Sequence, residues 1–250
     1  MPFAAAFWGG CGTNGPPCPQ PQSEAAPSTR RPAPSAAPMP SKTVASAAVI
    51  HLAPPKGTPM STLIVYCHPY EQSFCHAMLD ALCERYDREG TPYQIIDLHA
   101  DGFDPVLSRD ELAVYGEGTA LDPLVTRYQE LIAGSDRLVF IFPIWWNDMP
   151  AMLKGWLDKV LLQGFSWEPT GAGLKGTLTY ITSAEVYTAS SNPTEFLREQ
   201  TGDAIQRMFI EGTLWQLGIP AGAWENFGSM DVSTEEERTA FLRRLAGRGE

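Results

Sequence analysis

The chain has no apolar run long enough to cross a bilayer, so no transmembrane helix and no membrane insertion are expected. It is also short of positive charge. Of 18 basic and 29 acidic residues, the first 59 positions hold four and one, which leaves residues 60–250 with 14 bases, 28 acids and a net charge of −14. A domain of that sign is repelled by polyphosphate and by anionic lipid, which argues against nucleic-acid partners. The five cysteines are not spaced as a zinc site requires. Cys11 and Cys18 lack His or Cys partners at metal spacing, and Cys75 and Cys83 are eight apart on one expected helix. Small buried apolar side chains are the better reading there, and a reducing cytoplasm suits them. There is no G-x-G-x-x-G after the first strand and no Walker loop, so the usual dinucleotide and nucleotide folds drop out.

Proline is plentiful but lopsided: 13 of the 22 lie within residues 1–59, among Ala and Ser and without helical or strand period. Such a stretch cannot bury enough apolar surface to offset its ordering entropy, so residues 1–59 are read as a disordered extension and residues 60–250 as the folded domain. Met60-Ser-Thr-Leu-Ile-Val resembles a protein start entering its first strand, which suggests a start assigned too far upstream. The alternative is a transit peptide, since Arg30, Arg31, Lys42 and Lys56 face only Glu24 among many serines.

The domain alternates strands with helices. Thr62 to Cys67 is a first buried strand, followed by a helix from about Ser73 to Arg88 and a second strand from Pro92 to Leu98. His99 to Ala120 is polar, with a capping box from Ser108 to Glu111, and a loop of that length suits a partner surface. Leu124, Val125, Tyr128, Leu131 and Ile132 mark the next helix, ended by Gly134. Arg137 to Phe142 is a central strand stopped by Pro143. A helix follows, capped by Asn147 or Asp148, with Pro150 in its first turn and Leu153, Leu157, Val160 and Leu161 on one face. Gly176 to Thr182 reads as the fourth strand and Ala221 to Phe227 as the fifth, separated by a helix from about Gly202 to Leu217. Ser233 and Glu236 cap a final helix ending near Arg248. Five apolar strands in this alternation predict an α/β fold, a doubly wound parallel sheet with helices on both faces.

Open sheets of this kind bind ligands beyond the carboxyl ends of their strands. Trp145 and Trp146 stand there on the loop after the third strand, and their flat faces suit a flat aromatic ligand. After the first strand, Ser73 is placed to cap a helix whose free N–H groups favour an anion such as phosphate, with His68 as a further donor.

Leu63-Ile-Val-Tyr-Cys-His-Pro with Ser73-Phe74, and Phe142-Pro-Ile-Trp-Trp with Met149-Pro-Ala-Met-Leu-Lys-Gly-Trp-Leu-Asp, resemble the NAD(P)H quinone reductases of flavodoxin-like fold. The resemblance covers about Met60 to Gly247. It implies a five-stranded flavodoxin-like sheet, FAD or FMN as cofactor, NAD(P)H as co-substrate, a quinone or similar small acceptor, and a homodimer. Matched residue by residue, it assigns His68, Ser73 and Phe74 to the flavin phosphates. Pro143, Ile144, Trp145, Trp146 and Asn147 fall to the ring and ribityl loop, Thr182, Ser183, Ala184 and Glu185 to the pyrimidine edge, and Trp167 to the substrate pocket. Relatives carry Thr-Thr-Gly-Gly where this chain has Thr182 to Glu185, and a His where it has Thr201, which leaves Tyr187 as the nominee for a catalytic side chain. The rival reading is a flavodoxin-like electron carrier or a regulatory flavoprotein subunit of a transporter. The sequence predicts that a chain shortened to Met60–Glu250 melts within a few degrees of the full chain, as thermal unfolding followed by circular dichroism would show. A large drop in Tm would mean that the extension belongs to the fold.

Overall fold

Two central strands of this chain bury both faces, and that determines the architecture. In the computed structural model, which describes residues 61–220 and 222–248, Leu63 and Val65 of strand β1 (Thr62–Tyr66) point to one core while Ile64 and Tyr66 point to another. Strand β3 (Arg137–Pro143) alternates in the same way, Leu138, Phe140 and Phe142 against Val139 and Ile141. A strand apolar on both sides needs helices on both sides. Helix α1 (Phe74–Glu89) and helix α6 (Glu235–Leu245) cover one face, α1 with Met78, Leu82 and Tyr86 and α6 with Phe241 and Leu245. Helix α3 (Pro123–Ala133), helix α4 (Ala151–Val160) and a π-helix (Ile205–Leu214) cover the other.

The sheet also contains β2 (Tyr93–Asp97), β6 (Ser183–Ala189) and β7 (Gly222–Phe227), in the order β2-β1-β3-β6-β7, with every neighbouring pair parallel. The expected fold class holds. Strands β4 (Trp167–Thr170) and β5 (Gly173–Gly176) form a separate antiparallel hairpin between α4 and β6.

One strand expected from the sequence is displaced. Gly176 to Thr182 is not the fourth strand of the sheet: β5 ends at Gly176, and the following segment turns, with Ile181 N–H donating to the Leu178 carbonyl at 3.0 Å. Leu178 and Ile181 plug the core from that turn, which is why the segment reads as a strand. The real strand, Ser183–Ala189, carries Glu185 and Thr188 in its interior. Two helix starts also move: α4 begins at Ala151 with Pro150 as its N-cap, so neither Asn147 nor Asp148 caps it, and α6 is capped by Thr234 and Glu237 rather than Ser233 and Glu236. The extension, residues 1–59, lies outside the described residues.

The long connection after β2 is tied to its own chain. It contains helix α2 (Arg109–Val114), whose capping box joins Ser108 and Glu111. Lys159 of α4, only 4% exposed, places its ammonium 3.0 Å from Glu111, 3.5 Å from Asp122 and 2.9 Å from the carbonyl of Asp104. The same ammonium lies 5.1 Å from the Phe103 ring centroid. Burial pushes the Glu111 carboxyl up, but the Ser108 hydrogen bonds and the Lys159 ammonium outweigh it and hold its pKa below the ordinary glutamate value.

Lys159→Met should cost about 3 kcal/mol, because it strands two partly buried carboxylates while keeping the stem. A depressed carboxyl pKa stabilises fully above the usual glutamate range and is lost as pH falls through the lowered value. The Tm gap between wild type and variant should therefore narrow in acid, and a gap independent of pH would show that Glu111 is not the main partner.

Candidate functional site

Because β1, β3 and β6 are parallel neighbours, the segments that follow them leave the sheet at one edge. The β3 segment contributes Ile144, Trp145, Trp146 and Asn147 to a cleft of about 680 Å³. The β6 segment contributes Ser190, Ser191 and Asn192, and the chain beyond it adds Phe196, Leu197 and Thr201. Helix α5 (Thr194–Glu199) carries Phe196 and Leu197. The volume is that of a site for a cofactor-sized molecule.

The tryptophan loop is a tight reversal. Trp145 N–H donates to the Asp148 carbonyl at 3.0 Å, and Asp148 N–H returns the bond to Trp145 at 3.2 Å. The two central residues, Trp146 and Asn147, both have left-handed backbones, with φ of 53° and 68°. That is the pattern of a two-residue type I′ turn, which favours Asn and Gly. Asn147 suits it; a bulky aromatic at Trp146 does not, and strain of this kind persists where function requires it. Trp146 is 97% exposed, so burial does not hold it there. Trp145, 46% exposed, meets the His68 ring edge-on at 6.0 Å between centroids, which places the segment after β1 beside the segment after β3.

Tyr70 N–H donates to His68 Nδ1 at 3.0 Å, so the neutral ring carries its proton on Nε2. Burial, and then the neighbouring His99, lower the His68 pKa, which favours that neutral donor form. Ser73 caps α1, its hydroxyl accepting from His76 N–H at 3.1 Å. The amides of Phe74 and Cys75, first in that 16-residue helix, donate to nothing among the described residues. They form an anion-binding helix terminus. The Phe74 side chain faces the other way, stacked on Phe227 at 4.6 Å, so only its backbone serves the terminus. Pro143 is buried as the last residue of β3.

Four residues assigned from the sequence to a ring-binding loop are at the wrong end of the sheet. Thr182 bonds the Asp136 carbonyl, and Ser183, Ala184 and Glu185 open β6 opposite Arg137, Leu138 and Val139. Glu185 stands four positions before the end of its strand, roughly 13 Å below the cleft edge at the usual strand rise. It pairs with Arg137 at 2.9 Å and accepts from the Tyr187 hydroxyl at 2.7 Å. Tyr187 is buried beneath α1, its pKa is raised by burial and by that bond, and it does not line the cleft. Trp167 is half-buried at the start of β4, its indole N–H bonded to the Leu161 carbonyl at 3.1 Å, and does not line the cleft. The residues missed are Ser190, Ser191 and Asn192, with Phe196 and Leu197 of α5. The signal of the first three in the sequence was a Ser-Ser-Asn-Pro turn after a β-branched run.

The cleft offers donors without acids. Amide groups of Trp146, Asn147, Ser191 and Asn192 donate to nothing among the described residues, and none of the lining side chains titrates. Flat indoles, open amides and a nearby helix terminus fit a planar cofactor with polar ring edges and a phosphate tail. Cys67 and Cys75 nearby are inert, since burial pushes both thiols up to about 12.

Known proteins share this fold. A family model described as flavodoxin-like fold matches residues 60–246. The chain is 30% identical over 209 residues to the ribosyldihydronicotinamide dehydrogenase (quinone) of Homo sapiens, covering 72% of this chain and 86% of that one. Among solved structures, the NAD(P)H:quinone oxidoreductase of Methanothermobacter marburgensis is 29% identical with a TM-score of 0.67, covering 76% of this chain and 96% of that one. The general stress protein 14 of Treponema denticola, solved in complex with FMN, is 26% identical with a TM-score of 0.50, covering 75% and 94%.

Left-handed backbone costs a tryptophan roughly 1–2 kcal/mol. Glycine recovers that and gives back about 0.5–1 kcal/mol in unfolded-state entropy. Trp146→Gly should therefore leave the Tm of the cofactor-free protein unchanged or raise it slightly, as scanning calorimetry would show. A fall of several degrees would mean that the indole supports the fold.

Proposed function

Since the chain belongs to the flavodoxin-like fold family, we propose that it is an NAD(P)H oxidoreductase that uses FMN or FAD to pass a hydride to a quinone or a similar small acceptor. The observation that carries the reading is the cleft itself, where tryptophans and open amides share a sheet edge with the free N-terminus of α1. The names of the human and archaeal relatives support nicotinamide and quinone as the reacting pair, and the FMN-bound relative supports the flavin. Bound flavin would supply the chemistry, accepting two electrons from nicotinamide and donating them onward.

The protein's part is positional. Phe74 and Cys75 amides, with the Nε2–H of His68, would be the donors for phosphate. Trp145, Trp146 and Asn147 would hold the ring, and the free amides of Ser191 and Asn192 would supply donors to its polar edge. Oriented N–H groups stabilise the negative charge a reduced ring acquires, and a walled cleft keeps the two reactants face to face. With no titratable side chain in the lining, acceptor protons come from solvent.

A homodimer is part of the proposal, supported by the exposed side chains of Met208 on the π-helix and Trp215 just after it, which a second copy would cover. A cytoplasmic location is supported by the free thiols of Cys67, Cys75 and Cys83. Among the described residues, no helix is long and apolar enough to cross a membrane.

Anaerobic mixing of the flavin-loaded protein with NADH or NADPH should bleach the visible flavin band within the turnover time, and a quinone should restore it. Bleaching by an added reductase but by neither nicotinamide would instead establish the electron carrier. Light scattering on the same sample should give twice the chain mass.

A further inference from the structure

The segment that closes the cleft on its β6 side is gripped from behind by one side chain of β7. Asn226 Nδ2 donates to Ser190 Oγ at 2.9 Å and to Thr194 Oγ1 at 3.0 Å, so a single amide holds both ends of the loop. On its other side, Asn226 Oδ1 accepts from the Thr188 hydroxyl at 2.8 Å, and Thr188 Oγ1 in turn accepts from the indole N–H of Trp224 at 2.8 Å. Ser190 passes the direction on, donating to the Asn192 carbonyl at 2.7 Å, while the Thr194 hydroxyl donates back to the Asn226 carbonyl at 3.4 Å. Each proton has one direction, from Trp224 to Thr188 to Asn226 to the loop. Only a primary amide can accept on one side and donate twice on the other.

The backbone doubles the grip. Ser190 N–H donates to the Phe227 carbonyl, Ser229 N–H to Asn192 and Met230 N–H to Ser190, at 3.0, 3.2 and 3.0 Å. A Cβ at Gly228 would come within 2.8 Å of the Thr194 nitrogen, so the end of β7 approaches the loop as closely as a glycine permits. Arg198 of α5 lies over the Trp224 ring at 5.2 Å, which fastens the far side of the cleft wall to the same strand. Ser191 and Asn192, whose amides donate to nothing among the described residues, are thus placed through Ser190 by residues that do not line the cleft.

We propose that Asn226 is a positioning residue for flavin binding: it sets the orientation of the Ser191 and Asn192 amides from behind the loop, without touching the cofactor. The proposal rests on the flavin reading above. It predicts that the polarity of the Asn226 side chain, beyond its bulk, governs flavin affinity.

Asn226→Asp keeps the shape and reverses the polarity. An ionised carboxylate only accepts, so Ser190 must turn its hydroxyl away from Asn192 to meet it, and the loop loses its internal bond. Binding of FMN and of FAD to the cofactor-free protein, followed by quenching of flavin fluorescence, should weaken about tenfold in this variant, the effect of one net hydrogen bond. The melting temperature of the cofactor-free protein should stay within a few degrees. The affinity gap between Asn226→Asp and wild type should narrow as pH is lowered, because a protonated carboxyl regains one donor, whereas any response of His68 is common to both proteins. That pH profile separates polarity from simple loss of structure. Thr188→Val, which removes the donor to Asn226 and leaves the loop residues intact, should weaken binding in the same direction and serves as the test if Asn226→Asp does not fold.

Wild-type affinity in both variants, with wild type itself binding flavin, overturns the inference alone. A wild-type protein that binds neither FMN nor FAD overturns the flavin reading and this inference with it.

Discussion

The parallel pairing of β3 with β1 on one side and β6 on the other is the constraint from which the rest follows. Strands so paired must be joined by crossovers, so each delivers its following segment to the same edge. Here that edge receives the α1 terminus, the tryptophan turn and the Ser190 loop, whose residues are far apart in the chain. Burial of β3 on both faces keeps the pairing from slipping, because a shift of one residue would exchange the Phe140 and Ile141 cores. The place where strand order reverses, between β1 and β3, is also where open sheets of this type hold their ligands.

Stability and binding are divided between different residues. Lys159 is desolvated and holds the long connection after β2 against α4, a cost the fold offsets with two carboxylates, a carbonyl and an aromatic ring. Glu185, Arg137 and Tyr187 satisfy one another at the opposite end of the sheet. The cleft contains no such charged knots. It holds strained backbone, exposed indole and unengaged amides instead, groups that gain partners only when a ligand arrives.

Much of the fold was legible. The strand before Trp145 is an unbroken apolar run closed by Pro143, and Gly134 ended its helix where expected. Ser73 and Ser108 capped theirs for the same local reason, a side-chain oxygen beside an unpaired N–H. The tryptophan loop, His68 and the α1 terminus could therefore be located by counting from local signals.

The β6 half of the site could not. Leu178 and Ile181 look like strand residues because they are buried, yet burial is all the pattern reports, and a turn can bury two side chains as well as a strand can. Glu185 and Thr188 look foreign to a central strand, and each is admitted only by a partner distant in sequence: Arg137 for the carboxylate, Asn226 and Trp224 for the hydroxyl. The sequence by itself determined which segments are apolar on two faces, where α1 and α2 begin, and that an aromatic turn stands beyond the central strand. The tertiary structure decided which apolar segment joins the sheet, and with it which loop reaches the cleft. A polar group inside a strand is tolerated or forbidden according to what lies across from it, and that is a property of the packed chain alone.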